Sequence, residues 1–73
     1  MKTQYRVIAK LLALKDAPDH RIDRHVQAIG VTAARSILYD EAIRLRHIDR
    51  HAAMDCIALM NRINALIRRR AQN

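Results

Sequence analysis

The fold is decided by residues 38–66, which read LYDEAIRLRHIDRHAAMDCIALMNRINAL. Apolar or small side chains recur there in steps of four and three residues, a spacing typical of packed α-helices. One member of the series, Asp49, does not suit a buried position. The series, called the stripe below, consists of Leu38, Ala42, Leu45, Asp49, Ala52, Cys56, Leu59, Ile63 and Leu66.

Asp49 leaves two interpretations of this half of the chain. Either residues 33–70 form one long helix with a polar residue in its stripe, or the chain breaks near Ile48 and Asp49 caps the last helix. We favour the break, because burying an unpaired carboxylate is costly. It predicts helices over about residues 33–47 and 50–70, arranged as an antiparallel hairpin.

Towards the N-terminus, two helix breakers divide the chain. Residues 3–15 carry apolar side chains at helical spacing, namely Tyr5, Val7, Ile8, Leu11 and Leu12. Pro18 then marks a stop and restart, with Asp16 as the expected N-cap of a second helix over residues 17–29. Gly30 is the expected left-handed residue that ends this helix, and Thr32 is the expected N-cap of the next.

Composition agrees with an all-α class. The chain has 73 residues, of which 51% are hydrophobic, with one glycine, one proline and neither Trp nor Phe. Such a length predicts a single domain over residues 1–73, a small bundle of three to four helices. A core of this size rarely supplies more than about 3–5 kcal/mol, and the lone Cys56 cannot close an internal disulfide. We therefore expect part of the stripe to form the seam of a homodimer.

The net charge of +7 favours an acidic partner: nucleic acid, an anionic membrane or an acidic protein surface. The first helix has a Lys-rich face but offers neither Trp nor Phe to a membrane interface, so we expect no membrane binding. No targeting segment is recognisable, and Lys10 interrupts the apolar run near the start. These features predict a cytoplasmic protein with a reduced, buried thiol.

Catalytic and metal-binding chemistry find little support. Ser36 is the only serine and has no evident base beside it, and no glycine-rich phosphate loop is present. His47, His51 and Asp55 share a helical face, but structural zinc requires four ligands and neighbouring arginines would repel a cation. We therefore predict no enzyme, no catalytic residue, no metal and no cofactor.

One functional hypothesis is a DNA-binding helix-turn-helix within residues 20–46. Gly30 would end its first helix and Thr32 would start its second, which would offer Arg35, Ser36 and Tyr39 to the groove. However, the motif expects Ser36 and Tyr39 to be buried, and residues 31–49 carry as many acidic as basic residues. DNA binding is therefore kept as the alternative.

The favoured hypothesis is protein binding, since arginine and tyrosine dominate interface hot spots. Tyr39 falls beside the stripe and not within it, and arginines cluster near the end of the last helix. The candidate partner contacts are Tyr39, Arg62, Arg68 and Arg69.

A resemblance adds to this hypothesis. The segment Leu38-Tyr39-Asp40-Glu41-Ala42, the helix that follows it and the end Arg68-Arg69-Arg70 resemble the small helical anti-activator proteins of Mu-like Pseudomonas phages. The resemblance implies a homodimer that binds host proteins in the host cytoplasm, with Tyr39 and Arg68 as contacts. It implies inhibition of a LuxR-type quorum-sensing activator, which is kept off its DNA, and a pilus assembly ATPase as a possible second target.

Overall fold

The computed structural model describes residues 2–72, and the side chains of residues 6–72. Within that range the chain forms four α-helices and no strand: α1 Lys2–Ala13, α2 Asp19–Ile29, α3 Val31–Leu45 and α4 Arg50–Gln72. The predicted all-α class and small helical bundle are confirmed. The side chain of Tyr5, predicted to lie on the apolar face of α1, is outside the described residues.

The chain breaks between α3 and α4, as the position of Asp49 predicts. The carbonyl oxygen of Leu45 accepts hydrogen bonds from the backbone N–H groups of Ile48 (2.9 Å) and Asp49 (2.7 Å), which closes α3. Asp49 Oδ1 then accepts a hydrogen bond from the N–H of Ala52 (3.1 Å) and caps α4. The interpretation as one long helix is therefore wrong, and α3 and α4 pack together as a hairpin.

Gly30 alone joins α2 to α3. Its φ of +97° lies in a region that glycine adopts readily and other residues avoid. Its N–H donates to the carbonyl of Val26 (2.8 Å), and its own carbonyl accepts from the N–H of Ala34 (2.9 Å). Gly30 therefore ends α2 and also starts α3, so the predicted N-cap at Thr32 is wrong and α3 begins two residues earlier than expected.

The start of α2 also differs from the prediction. Proline disfavours helical backbone at the preceding residue, so Ala17 stays outside the helix. Pro18 is the extended N-cap residue (φ −60°, ψ 153°), and its carbonyl accepts from the N–H groups of Arg21 and Ile22. The predicted cap at Asp16 is wrong, and α2 begins at Asp19.

The stripe faces the core of a single chain. Its members Leu38, Cys56, Leu59 and Ile63 are buried, whereas Leu45, Ala52 and Leu66 are half-buried. The other helices contribute Leu11 from α1, and Ile22 and Val26 from α2. The fully buried members are therefore unavailable to a dimer seam, and the homodimer stays a prediction that needs another surface.

Among the described side chains, Cys56 and Glu41 are the buried groups that can titrate. Burial raises the pKa of the Cys56 thiol, and the negative charges of Glu41 and Asp55 add to the effect. The thiol is therefore held in its protonated, unreactive form. Glu41, only 5% exposed, forms an ion pair with Arg44 one turn further along α3.

The longest helix, α4, gives the bundle its long dimension. Its 23 residues span about 34 Å, against a longest molecular extent of 39 Å. Its buried face packs on the other three helices, and its last residues, 68–72, are exposed. None of the helices within residues 2–72 combines the length and the apolar character that crossing a bilayer requires.

Candidate docking groove on the helical hairpin

The hairpin of α3 and α4 exposes large apolar side chains on the side away from the core. Tyr39 is 57% exposed and Ile48, in the turn, is 73% exposed. Ile43 on α3 and Met54 and Ile57 on α4 are exposed as well. Scattered apolar side chains are normal on a protein surface, but five on one hairpin form a patch of the kind that marks an interaction site.

All of these side chains except Ile48 border an open groove of about 690 Å³ between the two helices. Ala42 and Ala53 form its floor, because their small side chains leave the space between the helices unfilled. The hairpin groove, as we call it, is lined by Tyr39, Ala42, Ile43, Arg46, His47, Arg50, Ala53, Met54 and Ile57.

The lining is positively charged at one end. Arg46, His47 and Arg50 lie beside the hairpin turn and are exposed, and Arg46 Nε donates a hydrogen bond to His47 Nε2 (3.0 Å). None of the lining residues carries a carboxylate. Two nearby acidic side chains are engaged elsewhere, since Glu41 pairs with Arg44 and Asp49 caps α4. The groove therefore combines an apolar floor with two arginines and no acidic lining residue.

The arginines near the end of α4 have a different environment. Arg62 donates hydrogen bonds to the carbonyls of Lys15 (2.7 Å) and Ala17 (2.8 Å) and to Asp19 Oδ1 (2.6 Å). Arg69 reaches the other oxygen of Asp19 at 3.0 Å, and Arg70 pairs with Asp23. These contacts, the arginine clamp, fasten α4 to the start of α2 and to the α1–α2 connection.

The clamp also changes the titration of Asp19. The hydrogen bond from Arg62, helped by the positive charges of Arg62 and Arg69, lowers the pKa of this carboxyl below its ordinary value of 3.8. The ionised form of Asp19 is therefore favoured by folding. This is the signature of a carboxylate that helps to hold α2 and α4 together.

The predicted partner contacts thus fall in two places. Tyr39 lies in the hairpin groove, whereas Arg62 and Arg69 lie in the clamp with their guanidinium groups already paired. Arg68 is exposed and, by helical spacing, shares the face of α4 that carries Met54 and Ile57. It lies about 16 Å beyond Ile57 along the helix, so it borders the extension of the groove and not the groove itself.

Comparisons with known proteins identify no relative of this chain. No family model, no curated protein and no solved structure matches the chain. The groove and its charges are therefore the features of this chain that bear on its function.

Sequence reasoning missed most of the groove residues. Ile43, Arg46, Arg50 and Ile57 each follow a member of the stripe by one residue, and Tyr39 does so too. A second series, one residue out of phase with the first, is the signal that could have revealed them. The prediction that Tyr39 lies beside the stripe and not within it is confirmed by its exposure.

The other candidate sites are dispersed or engaged. His47 Nε2 accepts a hydrogen bond from Arg46, and Asp55 forms an ion pair with Lys15 (3.1 Å). Among the residues that the structure describes, no group of three His, Cys, Asp or Glu side chains is placed to hold a metal ion.

The helix-turn-helix candidate departs from that motif in two respects. A single residue joins α2 to α3, whereas the motif uses a turn of three to four residues. Ser36 and Tyr39, which fall at positions that the motif buries, are exposed.

Proposed function

We propose that this chain is a small, non-enzymatic, cytoplasmic protein that binds a regulatory protein through the hairpin groove and blocks it. One observation carries the proposal: a groove on the hairpin that is lined by exposed apolar side chains and three basic side chains, with no carboxylate among its lining residues. Apolar centres with a charged margin are typical of protein interfaces.

The contacts proposed for this function differ in part from those that the sequence alone favours. Tyr39 is kept as the central anchor, because tyrosine supplies a large contact area and a hydroxyl in one side chain. Arg46 and Arg50 replace Arg62 and Arg69, whose guanidinium groups serve the clamp. Arg68 stays a candidate contact for a partner long enough to follow α4.

The resemblance to phage anti-activators would make the target a LuxR-type activator, held off its DNA, with a pilus assembly ATPase as a second target. A homodimer is also part of that proposal. Because the fully buried stripe residues serve the core of one chain, a second copy would have to cover the hairpin groove or another exposed surface.

The proposal is tested by affinity capture from a nuclease-treated bacterial lysate, followed by binding measurements with the purified partner. We expect a stoichiometric protein partner whose affinity falls at least tenfold for Tyr39→Ala, a loss typical of an interface anchor. Arg24→Ala, an exposed change on α2, is the matched control and should leave the affinity unchanged.

If the partner is a transcription activator, addition of the wild-type chain should release it from its promoter DNA in a mobility-shift assay, and Tyr39→Ala should not. Capture of no protein, together with a shift of duplex DNA at physiological salt that is lost for Arg35→Ala, would support the helix-turn-helix alternative. Equal affinity of the wild type and Tyr39→Ala for the partner would refute the groove as the binding site.

A further inference from the structure

We infer that the occupant of the hairpin groove is an acidic amphipathic α-helix of the partner protein, an inference that rests on the function proposed above. Three properties of the groove carry it: the chemistry of its lining, its dimensions, and the absence of a sheet edge from residues 2–72.

The chemistry of the lining selects the charge of the occupant. Arg46, His47 and Arg50 stand together at the end of the groove nearest the hairpin turn, and the four large apolar side chains line the remainder. An occupant that buries the apolar part brings its own polar groups close to the two arginines. Carboxylates there gain charge-assisted hydrogen bonds, whereas lysine or arginine would be repelled by the two guanidinium groups.

The dimensions select the conformation of the occupant. From Tyr39 on α3 to Arg46, the first residue after that helix, and from Arg50 to Ile57 on α4, each wall advances by seven residue steps, or about 10 Å. That length matches two helical turns, so an amphipathic helix fits with apolar anchors at positions i, i+3 or i+4, and i+7. Binding by strand addition would need the edge of a sheet, and residues 2–72 contain no strand.

Two other occupants fit the lining less well. In a twofold pair of this chain, Arg46 and Arg50 of both copies would face the same apolar surface, and the lining offers no carboxylate to offset them. Nucleic acid would place its phosphates over Ile43, Met54 and Ile57, although nucleic-acid interfaces are markedly polar. The charge pattern therefore favours an acidic helix over a second copy and over DNA.

The test is selection of a displayed library of helical peptides on the purified full chain, with affinities measured by fluorescence polarisation at physiological salt. We expect enriched peptides to carry apolar residues spaced i, i+3 or i+4, i+7, with Asp or Glu near one end. The double variant Arg46→Glu/Arg50→Glu should weaken these peptides at least tenfold. The matched control Arg21→Glu/Arg24→Glu makes the same change of charge on exposed α2 and should change affinity less than twofold, because salt screens charges beyond about 8 Å.

Several outcomes would overturn the inference: no enrichment, enriched peptides without excess carboxylates, or equal weakening by both double variants. Sedimentation equilibrium supplies a further arm. A dimer of the wild type that is lost in Ile43→Ser/Ile57→Ser would assign the groove to a second copy. If Tyr39→Ala weakens binding of the natural partner but the selected peptides carry no excess of carboxylates, the helix inference fails and the proposed function stands. If Tyr39→Ala leaves the affinity for the natural partner unchanged, the proposed function itself fails.

Discussion

The two faces of the α3–α4 hairpin are built from neighbouring residues, but one face is buried and the other is exposed to solvent. On the inner face Leu38, Cys56 and Leu59 are buried by α1 and α2, while Tyr39 and Ile57, one residue further along the chain, stay exposed. Both faces are apolar, yet the bundle covers only one of them. The hairpin therefore carries more apolar surface than its own fold buries, and we expect a partner to cover the remainder.

The largest expected effect contrasts Leu59 with Ile57. Leu59→Ala removes a fully buried side chain and should lower the free energy of unfolding by about 2–5 kcal/mol, enough to unfold much of so small a domain. Ile57→Ala, on the outer face, should change it by no more than about 0.5 kcal/mol. Urea denaturation followed by circular dichroism measures the free energy of unfolding of both variants. Similar decreases for the two would contradict the difference between the two faces.

A second contrast concerns two arginines of α4. Arg62→Ala removes three hydrogen bonds of the clamp and should lower the free energy of unfolding by about 1–2 kcal/mol. Arg68→Ala, on the exposed face of the same helix, should leave it within about 0.5 kcal/mol of the wild type. Thermal melts provide the measurement, and an unchanged melting temperature for Arg62→Ala would show that the clamp is not structural.

The hairpin turn, which places Arg46 next to Arg50, gives a third test. Asp49→Ala removes the carboxylate that caps α4 and should cost about 1 kcal/mol of stability. Asp40→Ala changes an exposed aspartate inside α3 and serves as the control. Equal stability of the two variants would mean that the cap does not hold the turn.

The smallest expected effect is the pH dependence of the clamp. The pKa of Asp19 is lower in the folded chain than its ordinary 3.8, so its stabilising contribution is present above about pH 4 and is lost as the pH falls through the folded pKa. Asp19→Asn should therefore be less stable than the wild type at neutral pH, and the difference should shrink towards zero in acid. Denaturation curves at several pH values test this, and a constant difference would contradict the assignment.

The features that the sequence predicts well depend on short-range patterns. Helical periodicity is sufficient to place the stripe in the core, and the preference of aspartate for N-caps is sufficient to divide the chain at Asp49. Local backbone effects also explain the errors. The backbone conformation of Gly30 allows α3 to begin at Val31, so Thr32 does not act as its N-cap. Pro18 keeps Ala17 outside α2, and Asp16 is therefore too far from the helix to cap it.

The candidate site is less predictable, because it depends on which helical faces other elements cover. Arg62 and Asp19 are 43 residues apart in the chain, so no local pattern shows that they pair. Ile43 and Ile57 are apolar residues on helices, and only the docking of α1 and α2 on the opposite face leaves them exposed. Tyr39 could be placed correctly because it adjoins the stripe without belonging to it.

The most direct test of the docking groove is to map the surface that the purified partner covers, using amide chemical shifts of the isotope-labelled chain. We expect the largest changes on titration at residues 39–46, which cover the end of α3 and the start of the turn, and at residues 50–57 of α4, while the clamp residues Arg62 and Arg69 shift little. Changes centred on the clamp, or on the α2–α3 connection around Gly30, would contradict it.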